Sequence, residues 1–211
     1  MEKVNKNIMM VLYIGEFLDD KRHGKGRLIL DGIKSWSYKG EFIDDKICGK
    51  GIFRWDENKK YNGSWVNNEI SGYGILIEGN LKYIGYFEHN LKQGYGANFY
   101  NGKTAILGLW QNNTIEGYGI IIVIKDKSCN NFEEINNNNN SDNNYYKFVK
   151  IENGEIIKSK IEEEEICKFK KSKEYNDMIQ LYKNKIYPDF QNNLENSKSE
   201  EDESFSSYDN Y

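Results

Sequence analysis

Glycine recurs in this chain at fixed offsets, and this periodicity restricts the available folds more than any other feature. Triplets at relative positions 0, +9 and +11 occur as Gly15/Gly24/Gly26, Gly40/Gly49/Gly51, Gly63/Gly72/Gly74, Gly85/Gly94/Gly96 and Gly108/Gly117/Gly119. Their starts lie 25, 23, 22 and 23 residues apart, and they hold 15 of the 19 glycines. Self-similarity at such a period is the signature of a repeat architecture, in which stacked units share one continuous core.

Other columns follow the glycines. Tyr13, Tyr38, Tyr61, Tyr83 and Ile106 stand at −2, and Phe17, Phe42, Trp65, Phe87 and Trp110 at +2. Asp20, Asp45, Asn68, Asn90 and Asn113 stand at +5, and apolar-rich runs such as Ile75-Leu76-Ile77 occupy +12 to +14. Strand side chains alternate between faces, so the aromatics at −2 and +2 share a face with the glycine between them. Asn and Asp tolerate positive φ, which puts +5 in a turn. Each unit therefore reads as a β-hairpin. Its second strand carries the +9 and +11 glycines, both expected to form a trough under the rings of neighbouring strands. The rings are either core or the lining of a binding groove. Ten such strands build a twisted sheet about 45–50 Å long.

Residues 38–51, YKGEFIDDKICGKG, and 61–74, YNGSWVNNEISGYG, resemble the MORN (membrane occupation and recognition nexus) repeat, whose pattern is roughly Tyr-x-Gly-x-Trp-x-x-Gly-Lys-x-x-Gly-x-Gly. Five units in register cover residues 13–123. The main departure is Asn or Asp at +5, where the family usually has glycine. The expected fold is mainly β: an elongated, twisted, single-layer antiparallel sheet of hairpins, with a C-terminal α-helix and a disordered acidic tail.

The chain divides into a repeat sheet over residues 1–125, an Asn-rich loop over 126–144, a capping hairpin over 145–160, a helix over 161–187 and an acidic tail over 188–211. Asn5–Leu12 are expected to supply an N-terminal edge strand. The loop contains Asn136–Asn140 and, like the tail, is too polar to bury a core. In the capping hairpin Asn153-Gly154 signals a tight turn, and Lys158 and Lys160 stand where glycines would be. Ser159-x-x-Glu162 reads as a capping box. Ile166, Phe169, Met178, Ile179, Tyr182 and Ile186 form a stripe that breaks around Lys171–Glu174, which leaves a kink or two helices open. A single-layer sheet leaves a face uncovered, and the helix is expected to lie on the aromatic face. The tail segment Ser197-Lys198-Ser199-Glu200-Glu201-Asp202 is an acidic context suited to phosphorylation.

No catalytic constellation is legible. The Gly-x-Gly pairs lack the Lys-Ser/Thr of a phosphate loop and lie in strands. His23 and His89 share no motif with a Cys or Ser. Asp19-Asp20 and Asp44-Asp45 fit turns and lack calcium-loop spacing. No cofactor and no metal are expected, and the chain reads as a non-enzyme. Residues 1–125 hold 17 basic and 14 acidic residues, and 126–211 hold 12 and 19. Neither balance suits a nucleic-acid partner. Cys48, Cys129 and Cys167 are odd in number and far apart, as in a reduced intracellular chain. The longest apolar run, Ile8–Ile14, is far shorter than the about 20 residues of a membrane span.

The resemblance implies a scaffold that joins protein partners in a cytoskeletal, cortical or axonemal assembly, in the cytoplasm or at the cell cortex. An uncapped sheet edge would add homodimerisation. The alternative is a peripheral module for anionic phospholipid or phosphoinositide. Lys25 and Lys50 stand at +10, on the face opposite the glycines, where later units carry Tyr73, Tyr95 and Tyr118. With Lys21, Arg27, Lys46 and Arg54 they form a basic end beside a tyrosine stripe. Against it, residues 13–60 hold 11 basic and 9 acidic residues, and interspersed carboxylates weaken lipid attraction.

Overall fold

The computed structural model describes residues 10–32, 35–101, 104–123, 146–186 and 188. Twelve strands form one sheet in chain order, each antiparallel to the next. They are β1 (Met10–Leu18), β2 (Lys21–Asp31), β3 (Trp36–Ile43), β4 (Lys46–Arg54), β5 (Lys59–Val66), β6 (Glu69–Glu78), β7 (Leu81–Glu88), β8 (Leu91–Tyr100), β9 (Thr104–Gln111), β10 (Thr114–Val123), β11 (Tyr146–Glu152) and β12 (Glu155–Lys158). The Asn-rich loop and the acidic tail lie outside the described residues.

Two-residue turns close all six hairpins. They are Asp19-Asp20, Asp44-Asp45, Asn67-Asn68, His89-Asn90, Asn112-Asn113 and Asn153-Gly154, with every φ between 47° and 80°. Two consecutive positive φ values give the turn whose twist suits a hairpin. His89 thus belongs to a turn column that glycine spacing alone does not reveal.

One face, the ring face, carries the −2 and +2 aromatics and the glycines at 0 and +11. Glycine meets glycine across eight successive strand boundaries, from Gly15↔Gly26 and Gly26↔Gly40 to Gly96↔Gly108. This rail ends at Gly119, which faces Val149. Tyr38 lies over Gly40 and Gly51, and Tyr61 over Gly63 and Gly74; a Cβ on any of these glycines would come under 3.0 Å from the ring. The hydroxyls donate to main-chain oxygens three residues on, Tyr38 to Glu41 at 3.1 Å and Tyr61 to Ser64 at 3.1 Å. Each tyrosine also meets two +2 rings edge-on, its own and the next unit's: Tyr61 is 5.3 Å from both Trp65 and Phe87. Leu28, Ile47, Ile70, Ile115, Val149 and Ile151 complete this core.

The glycines at +9 depart from the expected trough. Gly24, Gly49, Gly72, Gly94 and Gly117 have φ of 64°, 67°, 102°, 72° and 81°, and each lies where the register of its own hairpin shifts. No ring lies over them. An added Cβ would meet the carboxylate of Glu16 at Gly24 and that of Glu41 at Gly49. At Gly72 it would stand 3.0 Å from the Ser64 Cβ, at Gly94 3.7 Å from the Tyr86 Cβ, and at Gly117 it would meet nothing within 4 Å. The second strand carries extra residues between paired positions, as Gly40↔Gly51 followed by Glu41↔Cys48 shows. A bulge absorbs them, and its left-handed residue is best a glycine. The +9 glycines therefore answer a backbone requirement, whereas the 0 and +11 glycines of the first four units make room for a ring, and Gly108 and Gly119 for the side chains of Ile115 and Ile151.

The reverse face carries a second core, and here another expectation is overturned. The C-terminal helices pack on this face, away from the aromatic stripe. Phe169, Tyr175, Met178, Ile179, Tyr182 and Ile186 cluster with Ile75, Ile84, Ala97, Phe99, Ala105, Leu107, Ile120, Ile122 and Phe148. The cause is that the rings already cover one another, whereas the third to fifth units present aliphatic side chains on the reverse face that only a second layer removes from water.

The helical segment is also broken, into α1 (Glu163–Lys170), α2 (Lys173–Leu181) and a π-helical turn, Tyr182–Ile186. Ser159 is not the cap: the N-cap position is Glu162, and its side chain makes no capping bond. Ser172 caps α2 instead, its Oγ accepting from the Tyr175 N–H at 3.1 Å. Met10–Leu12 are part of β1, paired with β2, rather than a separate strand; residues 5–9 lie outside the described residues.

Candidate interaction surfaces

The +5 residues do more than turn the chain. The Asn68 Oδ1 accepts from the Ile47 N–H at 2.8 Å, Asn90 Oδ1 from Ile70 at 2.8 Å and Asn113 Oδ1 from Lys92 at 2.8 Å. In the reverse direction the Asn90 N–H donates to the Ile70 carbonyl at 2.9 Å. Asp45 makes the acidic version. It accepts from the Arg22 N–H at 3.0 Å and from Arg22 Nε at 2.9 Å, which lowers its carboxyl pKa. A side-chain oxygen here ties each of the second to fifth hairpins to the one before it, a role that glycine cannot fill. The departure from the family pattern is therefore an inter-repeat bond.

The ring face is closed over most of its length. Tyr38, Phe42, Tyr61, Trp65, Tyr83, Phe87 and Trp110 are all at most 5% exposed. Trp65 and Trp110 donate their indole N–H to the carbonyls of Gly51 and Gly96, both at 3.3 Å. Burial pushes the phenols of Tyr38, Tyr61 and Tyr83 well above their ordinary value. These seven rings are core. Tyr13 is only partly buried, and Phe17 is 63% exposed. Phe17 differs in that no described unit before it supplies a tyrosine to stand against it. Where other units place isoleucine at +7, the first places Arg22 and the fourth Lys92. The Lys92 Nζ lies 4.7 Å from the Tyr83 ring centre and 4.8 Å from that of Trp110, and desolvation lowers its pKa. Among the described residues no cluster of three His, Cys, Asp or Glu side chains is arranged to hold a metal ion.

The reverse face has two halves. From β6 onward it lies under the helices, and this is where Tyr73, Tyr95 and Tyr118 stand. Tyr118 is 4.8 Å from Phe169, and its hydroxyl donates to Glu165, which also accepts from Lys158 at 2.9 Å. The tyrosine stripe expected beside the basic end is thus covered. Among the described residues no helix covers β1–β5. Strand pairing places Lys21, Lys25, Arg27, Lys46, Lys50 and Arg54 all on that half, with Lys39 and Lys60. Two acidic residues among them point inward along the backbone: Glu16 accepts from the Lys25 N–H and Glu41 from the Lys50 N–H, both at 3.0 Å. They fill the bulges at Gly24 and Gly49. At the third bulge, beside Gly72, Ser64 takes the same place, and its hydroxyl donates to the Tyr73 carbonyl at 3.2 Å. Lys50 Nζ donates to Ser64 Oγ at 2.6 Å.

The third surface is the outer edge. Six of the nine residues of β1, namely Met10, Val11, Leu12, Ile14, Phe17 and Leu18, are large, apolar and exposed.

The repeat geometry agrees with sequence-family evidence. The family model of the MORN repeat matches residues 13–30, 38–58, 61–77 and 83–96. The chain is a MORN-repeat protein. Hairpins β9–β10 and β11–β12 extend the MORN array past the matched residues, and β9–β10 retains the +2 ring and the turn Asn. A search of curated proteins returned no match. MORN repeats generally serve as protein- or membrane-interaction modules, and the family is generally non-enzymatic. No described helix is long and apolar enough to cross a membrane.

Proposed function

We propose that this MORN protein is a non-enzymatic scaffold that joins protein partners in a cytoskeletal, cortical or axonemal assembly. The observation that carries this reading is the division of the reverse face. Helices seal its second half, while among the described residues nothing covers its first half or the adjoining β1 edge, on a sheet braced by repeated contacts. Such a surface binds by shape and charge without rearranging. Proximity labelling in the native cell tests the reading, with wild type compared against Lys25→Glu/Lys50→Glu. The expected result is a cytoskeletal or cortical protein set that the variant loses. Labelling with no such enrichment, or identical sets for both proteins, refutes it.

A second reading, a peripheral module for anionic phospholipid, has its own support. Lys21, Lys25, Arg27, Lys46, Lys50 and Arg54 share one face, and Glu16 and Glu41 are occupied by backbone N–H groups. Basic residues near an anionic membrane surface each contribute about 1 kcal/mol. Vesicles containing anionic lipid, at low salt, are expected to retain the wild type and release the variant Lys21→Glu/Lys25→Glu/Lys46→Glu/Lys50→Glu. Equal retention of both, or of neither, refutes it.

A further inference from the structure

Among the described residues, the β1 edge lacks the devices that keep sheet edges apart. Proteins blunt such edges with charges, proline, bulges or a covering element. Over Met10–Leu18 there is no proline and no lysine, and the one charge, Glu16, is folded back onto the Lys25 N–H. The opposite edge differs. β12 has four residues, it ends on Lys158, and that lysine pairs with Glu165 of α1.

We infer that β1 is the interface of a symmetric homodimer, in which two copies pair their β1 strands antiparallel about a two-fold axis through Gly15. Three observations fix the partner and the register. First, glycine faces glycine at eight successive boundaries, and among the described residues nothing pairs with Gly15 on its outer side. A two-fold axis there continues the rail as Gly15 against Gly15 of the second copy. Second, this register sets Phe17 opposite Tyr13 of the other copy, twice over. The one exposed +2 ring gains the aromatic neighbour that Phe42 already has in Tyr13, 5.2 Å away. Third, on the reverse face Leu12 comes opposite Leu18, so exposed leucines meet. An axis perpendicular to the sheet keeps both ring faces on one side and both basic halves side by side, giving one continuous 24-stranded sheet. Such an interface is self-complementary and closes on itself. Pairing β1 with β12 of another copy would instead leave an edge at each step and build a filament. The dimer forms whatever the scaffold binds.

The full chain is examined by analytical ultracentrifugation at micromolar concentration, beside Leu12→Lys/Phe17→Glu. Both changed side chains are exposed, so the fold is retained, and circular dichroism checks that. The wild type is expected at the mass of two 24.8 kDa chains and the variant at one. Register is read by oxidative cross-linking with Cys48, Cys129 and Cys167 changed to Ser. Opposed Cα atoms in an antiparallel pair lie about 4.5–5.5 Å apart, within disulfide reach. Within one chain positions 12 and 18 are separated by about 20 Å. Leu12→Cys/Leu18→Cys is therefore expected to give a covalent dimer, and Ile14→Cys none. A monomeric wild type, mass growing past two chains with concentration, a dimer that survives both charges, or cross-linking through Ile14→Cys would overturn the proposal. So would a monomer whose binding to anionic vesicles falls in Leu12→Lys/Phe17→Glu, because that assigns the edge to a membrane.

Discussion

Replacing Asn90 separates the two jobs of the turn asparagine. In Asn90→Gly the backbone keeps its φ of 68° at no steric cost, but the 2.8 Å bond to the Ile70 N–H disappears. Such a bond contributes about 0.5–1.5 kcal/mol net, and more when the donor left behind is partly buried, as here. Glycine adds a few tenths through the unfolded chain. The expected loss is about 1–2 kcal/mol. Asn90→Ala loses the same bond and holds a Cβ residue in the left-handed region, adding about 1–2 kcal/mol. The reciprocal change is Gly154→Asn. It stands at +5 of the last hairpin, its φ of 80° is open to Asn, and the nearest atom to an added Cβ is 3.4 Å away. It offers the Ile115 backbone an acceptor that glycine lacks, for an expected gain of about 0.5–1 kcal/mol. Urea unfolding followed by tryptophan fluorescence gives the ranking, and amide exchange at Ile70 locates it. Opening there should rise about five- to thirty-fold in Asn90→Gly, as 1–2 kcal/mol requires. An Asn90→Gly protein with wild-type midpoint and wild-type protection at Ile70 would refute the idea that these side chains couple repeats.

Other outcomes follow from the same contacts. Gly51→Ala forces the Tyr38 ring from its seat and should cost well over the about 1 kcal/mol expected for a strained turn glycine alone; Gly79→Ala, with nothing within 4 Å of its added carbon, is the control in the same denaturation series. The phenols of Tyr38, Tyr61 and Tyr83 are raised by burial, so the folded state holds protons that the unfolded chain releases. Their contribution is fully present below the unfolded value near 10 and is lost as pH climbs above it; an absorbance titration should show three phenols silent until the protein unfolds. His89 is raised by the Glu69 carboxylate 2.7 Å away, a contribution present below the ordinary histidine value and lost as pH rises through the shifted one. Its NMR titration midpoint should fall in Glu69→Gln. Phe169→Ala removes a ring packed on Tyr118 and Phe148, and about 3–5 kcal/mol of docking with it; protease cleavage between α1 and α2 should accelerate while the sheet signal persists.

The repeat sheet is legible in the sequence because its determinants are local and recur. Gly63 and Gly74, with Tyr61 between two +2 rings, announce a ring-over-glycine core from spacing alone. The same spacing misleads at Gly72, Gly94 and Gly117. Each stands two positions before the +11 glycine, which implies a shared face in a regular strand, but the bulge breaks that alternation. The helix position is not legible, because it turns on which face is already satisfied. The runs at +12 to +14, such as Ile75-Leu76-Ile77, place Leu76 on the ring face and its neighbours on the reverse, and only strand pairing reveals that Ile75 and Ile77 need a cover. Counting charges along residues 13–60 likewise hides the basic half-face, since pairing gathers Lys25, Arg27, Lys50 and Arg54 together while Asp44 and Asp45 remain in turns. The coupling role of Asn68, Asn90 and Asn113 is invisible because each acceptor serves a donor about twenty residues upstream.

The helical layer has a mechanical consequence. A single sheet flexes readily about lines parallel to its strands, and a rod laid across those lines resists the flexure. α1, α2 and the π-helical turn lie against side chains from β6 to β11, like a splint, while no described helix lies across β1–β5. Flexure of the array is therefore concentrated in its first two repeats. Two copies joined through β1 would form a plate with stiff wings and a compliant middle, able to follow a curved surface while each wing keeps its shape.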